Sequence, residues 1–126
     1  MNPEEIVRRF CDAATRRNSA ELAGYFSDDA IYHNIPIDPV QGPEAIHKML
    51  DSFLAPATQC SFELRAVAAT GNKVLTERVD RFTIGGKEIA LPVMGIFELR
   101  ADGKITAWRD YFDLAQFQRQ LPAAAG

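Results

Sequence analysis

The second half of the chain limits its fold most. From Cys60 onward apolar and polar residues alternate in long runs, and each run stops at residues suited to a tight turn. Cys60, Phe62, Leu64 and Ala66 alternate, and Gly71-Asn72 closes that run. Residues 73–84 form a second run, closed by the hairpin signal Gly85-Gly86. Residues 87–100 form a third, closed by Ala101-Asp102-Gly103, and residues 104–112 form the last. Strand side chains alternate faces with period two, so the pattern predicts a meander of long antiparallel strands. Pro92 interrupts the third run. It has no N–H to give to a ladder, which predicts an edge position or a bulge there.

The first half carries helical spacing instead. Ile6, Val7, Phe10, Cys11 and Ala14 fall on one stripe. Asn2 suits the N-cap, Pro3 the first turn, and Glu4 and Glu5 the positive end of the helix dipole. Arg16 and Arg17 suit its C-terminal end. Asn18 breaks the helix and is placed to cap a short second one, with Glu21 as capping-box partner and Leu22, Tyr25 and Phe26 as the buried face. Residues 30–37 read as a strand ending at prolines. Gln41-Gly42-Pro43 starts a third helix that turns Ile46, Met49, Leu50 and Phe53 inward, and Ala55-Pro56 ends it. After the last strand, Asp113 caps a closing helix bearing Leu114, Phe117 and Leu121. Helices followed by strands predict an α+β fold, a single domain over residues 1–126. Its curved sheet wraps the N-terminal helices and leaves a pocket in the concave face, with residues 122–126 as a loose tail.

Several function classes are excluded at this level. A net charge of −3 and a pI near 5.3 give no electrostatic footprint for nucleic acid or an anionic membrane. Cys11 and Cys60 each sit in an apolar pattern without a C-x-x-C partner, so both read as reduced core thiols, and a cytoplasmic setting fits. The acidic N-terminus does not read as a signal peptide, and no apolar run approaches membrane-spanning length. Serine-hydrolase and phosphate-loop motifs are absent, and Gly85-Gly86 is a turn rather than a phosphate cradle. His33 shares a face with Ile31 and Ile35 and reads as structural. His47 lies exposed on the third helix. With no Cys or Glu at ligand spacing from either, no metal is expected.

A few polar residues do not fit a plain core. Arg78 and Asp80 share a strand face with Val74, Thr76 and Phe82, while the opposite face carries Leu75, Glu77, Val79, Arg81 and Thr83. Both faces are mixed, so alternation alone leaves open which is inside, and periodicity by itself favours a solvated face with surface ion pairs, which are commonplace. Asp110 is flanked at i±2 by Trp108 and Phe112. An ionised carboxylate among aromatics is costly unless paired, although a strand-end Asp facing water would look the same. Tyr32 and Asn34 share a face on the first strand.

Taken in order, Tyr32-His33-Asn34, Arg78-Val79-Asp80 and Trp108-Arg109-Asp110-Tyr111-Phe112-Asp113 resemble the limonene-1,2-epoxide hydrolase family, within the NTF2-like and SnoaL-like cone folds. The resemblance covers nearly the whole chain. It implies an NTF2-like cone with a curved mixed or antiparallel sheet, a homodimer, and hydrolysis of a hydrophobic epoxide to a vicinal diol without a cofactor. It also implies roles. Asp80 is the protonated acid, Asp110 the ionised base, Arg78 the bridge between them, and Tyr32 and Asn34 the holders of water. Two carboxylates and one guanidinium carry an excess negative charge if all are ionised, so one carboxyl should keep a proton near neutral pH. Met49, Leu50, Phe53, Phe82, Leu91, Val93, Phe112 and Phe117 are the expected apolar lining. Phe82 and the stretch 89–95, with Pro92 and Met94, depart from the family pattern and bear on substrate identity. Two other readings share the fold. One is a ketosteroid-isomerase-like or polyketide-cyclase-like enzyme, which needs no Arg between two Asp residues. The other is a non-catalytic small-molecule-binding domain.

Overall fold

The computed structural model describes residues 1–122, so residues 123–126 of the expected loose tail lie outside the described part. Helix α1 (Pro3–Ala13) is capped by Asn2, whose side chain accepts from the Glu5 N–H at 2.8 Å. Its stripe of Ile6, Val7, Phe10, Cys11 and Ala13 is buried. A 3₁₀ turn (Ala14–Arg16) follows and ends at Arg17, whose φ of 51° reverses the chain. Asn18 then caps α2 (Ser19–Ala23) by accepting from the Glu21 N–H.

Six strands follow the helical entry: β1 (Phe26–Asn34), β2 (Val40–Gln41), β3 (Ala57–Thr70), β4 (Lys73–Ile84), β5 (Lys87–Leu99) and β6 (Ile105–Tyr111). Helix α3 (Pro43–Leu54) lies between β2 and β3, and α4 (Leu114–Gln120) closes the fold with Asp113 as its cap. The strands form one curved, unclosed sheet in the order β2-β1-β6-β5-β4-β3. The β3-β4-β5-β6 meander is antiparallel throughout. The core is aromatic where α1 meets the sheet. Phe10 sits edge-on to Trp108 at 5.1 Å and to Phe26 at 5.6 Å.

Local pattern misplaced the start of the first strand. Tyr25 and Phe26 do not continue the helix face of α2, because β1 begins at Phe26 and ends at Asn34 rather than spanning 30–37. The Ile105 N–H donates to Tyr25 O, and Phe26 pairs with Ile105. A long-range ladder thus overrides the helical spacing. Moreover, β1 runs parallel to β6, in a register that sets Tyr32 beside Trp108 and Asn34 beside Asp110. The two-residue β2 was not foreseen.

Pro92 obeys the edge rule. Strand β5 pairs with β4 as far as Lys87, but its pairing with β6 stops at Met94. Pro92 therefore lies where one side of β5 has no neighbouring strand. Among the described residues no helix is long and apolar enough to cross a membrane.

Candidate functional site

The ambiguity on β4 resolves toward the interior. Val74, Thr76, Arg78, Asp80 and Phe82 are buried, while Leu75, Glu77 and Arg81 are exposed. Arg81 makes the ordinary surface pair, reaching Glu63 at 3.1 Å. Arg78 is different, because its side chain is 0% exposed.

Every N–H of the Arg78 guanidinium has an acceptor. Nε donates to Asp80 Oδ1 at 3.0 Å, and Nη2 donates to Asp80 Oδ2 at 2.9 Å. Nη2 also donates to Asp110 Oδ2 at 2.7 Å, and Nη1 to Asp110 Oδ1 at 3.1 Å. The fifth N–H, on Nη1, goes to Thr76 Oγ at 3.1 Å, and Thr76 passes its own proton to Gly95 O at 3.1 Å. The planar fork of arginine matches two carboxylates at once, which a lysine ammonium cannot do. The faces of Phe62 and Trp108 lie 5.3 and 5.7 Å from the guanidinium carbon and shield it further.

The bridge spans three strands. Asp110 on β6 and Thr76 on β4 both pair with Gly95 on the intervening β5. Strands two apart lie roughly 10 Å from each other, so the arginine must cross β5 to reach Asp110. It crosses above Gly95. A Cβ there would fall on Arg78 Nη1 and Asp110 Oδ1. The missing side chain is the space that the ion cluster occupies.

Asp110 accepts a third bond, from Trp108 Nε1 at 2.6 Å. Trp108 is fixed between Tyr32, stacked at 4.2 Å, and Phe97, stacked at 5.1 Å. The Tyr32 hydroxyl donates to Asn34 Oδ1 at 3.3 Å. That leaves the Asn34 amide nitrogen buried with no acceptor among the described residues, on the strand beside Asp110. A buried amide donor without a partner costs about 1–3 kcal/mol, so this one is suited to a small oxygen-bearing molecule held against Asp110.

Charge follows from this packing. Burial pushes the Asp110 carboxyl above the usual carboxylate range and the Asp80 charge adds to it, while Arg78 and Trp108 pull it back. Burial works against the Arg78 charge, but Asp110 and Asp80 outweigh it and hold the guanidinium ionised. Burial raises the Tyr32 phenol, so it remains a neutral donor. It also pushes the free thiols Cys11 and Cys60 up to about 12, which keeps both unreactive.

Over the cluster lies a pocket with about 490 Å³ of free space, its mouth included. Tyr32, Asn34, Asp80 and Asp110 supply its polar base, and of the expected lining Leu50, Phe53, Phe82, Leu91, Val93, Phe112 and Phe117 form its walls. Met49 does not reach it. That side chain is half-buried against the core. The inward stripe of α3 turns Leu50, Phe53 and Leu54 to the cavity and leaves Met49 at its margin. Leu54, Phe62 and Trp108 line the pocket without having been anticipated.

Thr76 and Gly95 were also missed. The available signal was a glycine inside a strand, which often marks a close approach. The two histidines lie apart from this site. His33 Nε2 is 3.0 Å from Ile37 O and fastens the turn after β1. His47 Nε2 is 3.0 Å from Ser19 Oγ and ties α3 to α2.

The arrangement has known relatives. The limonene-1,2-epoxide hydrolase catalytic domain model matches residues 1–123. Epoxide hydrolase EphG of Mycobacterium tuberculosis is 32% identical over 110 residues, which cover 86% of this chain and 71% of that protein. The structure of an M. tuberculosis epoxide hydrolase of the same type superposes with a TM-score of 0.79 at 29% identity, covering 93% of this chain and 86% of that one. A putative SnoaL-like polyketide cyclase from Shewanella denitrificans superposes with a TM-score of 0.83 over 94% of this chain and 95% of its own. At 16% identity the cyclase shares the fold alone.

Proposed function

The chain belongs to the limonene-1,2-epoxide hydrolase family, and on that premise we propose that its single domain adds water directly to a hydrophobic epoxide, giving a vicinal diol. The observation that carries this reading is the pair of carboxylates sharing one fully bonded, fully buried guanidinium at the base of an apolar pocket.

With both carboxylates ionised the trio carries one surplus negative charge in a dry site, which favours retention of one proton. Asp110 accepts three donated hydrogen bonds and Asp80 two. The family resemblance gives the acid role to Asp80 and the base role to Asp110. A carboxylate held above its ordinary range, yet still ionised, is a stronger base toward water. Asp110 therefore takes a proton from a water steadied by Asn34 and Tyr32. The water oxygen bonds to one epoxide carbon, that carbon's bond to the ring oxygen breaks, and Asp80 protonates the departing oxygen. Relief of ring strain drives the step without a covalent enzyme intermediate or a cofactor. Resetting the site moves one proton from Asp110 to Asp80, and Arg78 Nη2 is bonded to both. General acid and base typically give 10²–10⁴-fold each. An isomerase moving a proton beside a carbonyl would not need a guanidinium between two carboxylates.

The test is a single turnover in ¹⁸O-labelled water across a panel of cyclic and linear epoxides. Label in the diol on the first turnover is expected. First-turnover oxygen drawn from the protein would contradict direct attack by water, and no diol from any epoxide would remove the assignment.

We also infer a homodimer through the outer face of the sheet. Leu75, Met94 and Tyr111 stay largely exposed there, and Met94 pairs directly with Tyr111. Exposed apolar side chains on one face suit a second copy. Sedimentation should show a dimer for the native chain and a monomer for Tyr111→Lys. A native monomer would end this inference.

A further inference from the structure

Strand β5 outruns β6, and among the described residues one side chain fastens the free edge. Below Met94 the backbone groups of β5 that face away from β4 have no neighbouring strand among the described residues. At Ala90 the side-chain amide of Gln120 fills the gap. The Ala90 N–H donates to Gln120 Oε1 at 2.8 Å, and Gln120 Nε2 donates to Ala90 O at 2.9 Å. One amide thus imitates a strand residue across the ladder. The second hydrogen of Nε2 goes to Gln116 O within α4, at 3.2 Å.

This fastening matters because of what α4 carries. The helix has seven residues and none is fully buried, so its own hydrogen bonds cannot hold it in place. Phe117 nevertheless projects from it into the pocket, edge-on to Phe53 at 6.3 Å. Phe112, on the chain leading into α4, lines the same cavity. The helix therefore roofs the pocket. Its start is fixed by the Asp113 cap, and its far end is fixed by Gln120.

We propose that Gln120 is a positioning residue that sets, through Phe117, the largest epoxide the pocket admits. The substrates named here rest on the epoxide-hydrolase reading, but the fastening can be tested without turnover. Two carboxamides, of cyclohexane and of adamantane, serve as inert small and bulky probes. Trp108 is the sole tryptophan and lies in the pocket wall, so its fluorescence reports occupancy.

Gln120→Ala should tighten the adamantane probe by about fivefold and leave the cyclohexane probe within about twofold, the scale of a modest pocket enlargement. In turnover, the same variant should raise kcat/KM for trans-stilbene oxide while kcat for cyclohexene oxide stays unchanged. Gln120→Glu supplies the control. As a carboxylate it cannot donate to Ala90 O and should behave like the alanine variant at neutral pH. Near pH 4 a glutamate is largely protonated, and the native size preference in probe binding should return. General loosening of the fold would not reverse in this way. An unchanged size ratio in both variants would overturn the proposal, as would a glutamate variant indifferent to pH. A shifted binding ratio in a protein that opens no epoxide would instead refute the epoxide-hydrolase reading and leave the fastening standing.

Discussion

Gly95→Ala should cost at least about a hundredfold in epoxide turnover, and a large part of the protein's stability, through the addition of a single methyl group. The Cβ would fall on Arg78 Nη1 and Asp110 Oδ1 and lie 3.2 Å from Thr76 Oγ. Strand β5 cannot retreat, because at Gly95 it is paired on both sides, to Thr76 and to Asp110. The guanidinium must move instead, and it has no slack, since all five of its N–H groups are engaged. Displacing it leaves buried charges without partners, a loss of about 3–5 kcal/mol where a buried ion pair is broken. Thermal unfolding and diol formation, measured side by side, check this. A Gly95→Ala protein with native Tm and activity would mean that the guanidinium does not lie above β5.

The second large effect concerns the carboxylates themselves. Asp110→Asn should lower turnover by about 10³-fold or more, within the range for loss of a positioned base. Asp80→Asn should do the same by removing the acid. Each change keeps side-chain size and leaves one carboxylate to balance Arg78, so both proteins should stay folded by circular dichroism. If acid and base act in one step, as proposed, their losses do not multiply, and the double variant should be little worse than the weaker single one. Substantial turnover in either single variant would strip that residue of its role.

These effects were unevenly legible in the sequence. The caps at Asn2, Asn18 and Asp113 were readable because capping is local chemistry, and each side chain accepts from the backbone N–H three residues on. The β3-to-β6 meander was readable because turn residues punctuate it. What escaped was non-local. Nothing near Phe26 announces that it will pair with Ile105, some eighty residues away, and that ladder carried the chain out of the helical pattern.

The candidate site shows the same division. Arg78, Asp80 and Asp110 stood out as charges that a core does not tolerate unpaired, and the ordered motifs tied them to Tyr32 and Asn34. Alternation on β4 could not choose the inner face, because both faces are mixed. The choice belongs to Asp110, contributed from two strands away. Gly95 escaped because its contribution is an absence of atoms, and it becomes visible only once the register places it beneath the guanidinium. Met49 erred in the other direction. Helical spacing identifies the buried stripe of α3 but not where along it the cavity opens.

The proposed sharing of one proton by Asp80 and Asp110 across Arg78 is the step on which the mechanism rests. It can be tested by ¹³C NMR of the aspartate side-chain carboxyls over a pH series, with the two resonances assigned from the asparagine variants. Near neutral pH one of the two carboxyls should show the chemical shift of the acid and the other that of the ion, and both should respond when either residue is replaced. Two fully ionised carboxylates from acid to alkaline pH, each indifferent to loss of the other, would contradict the account.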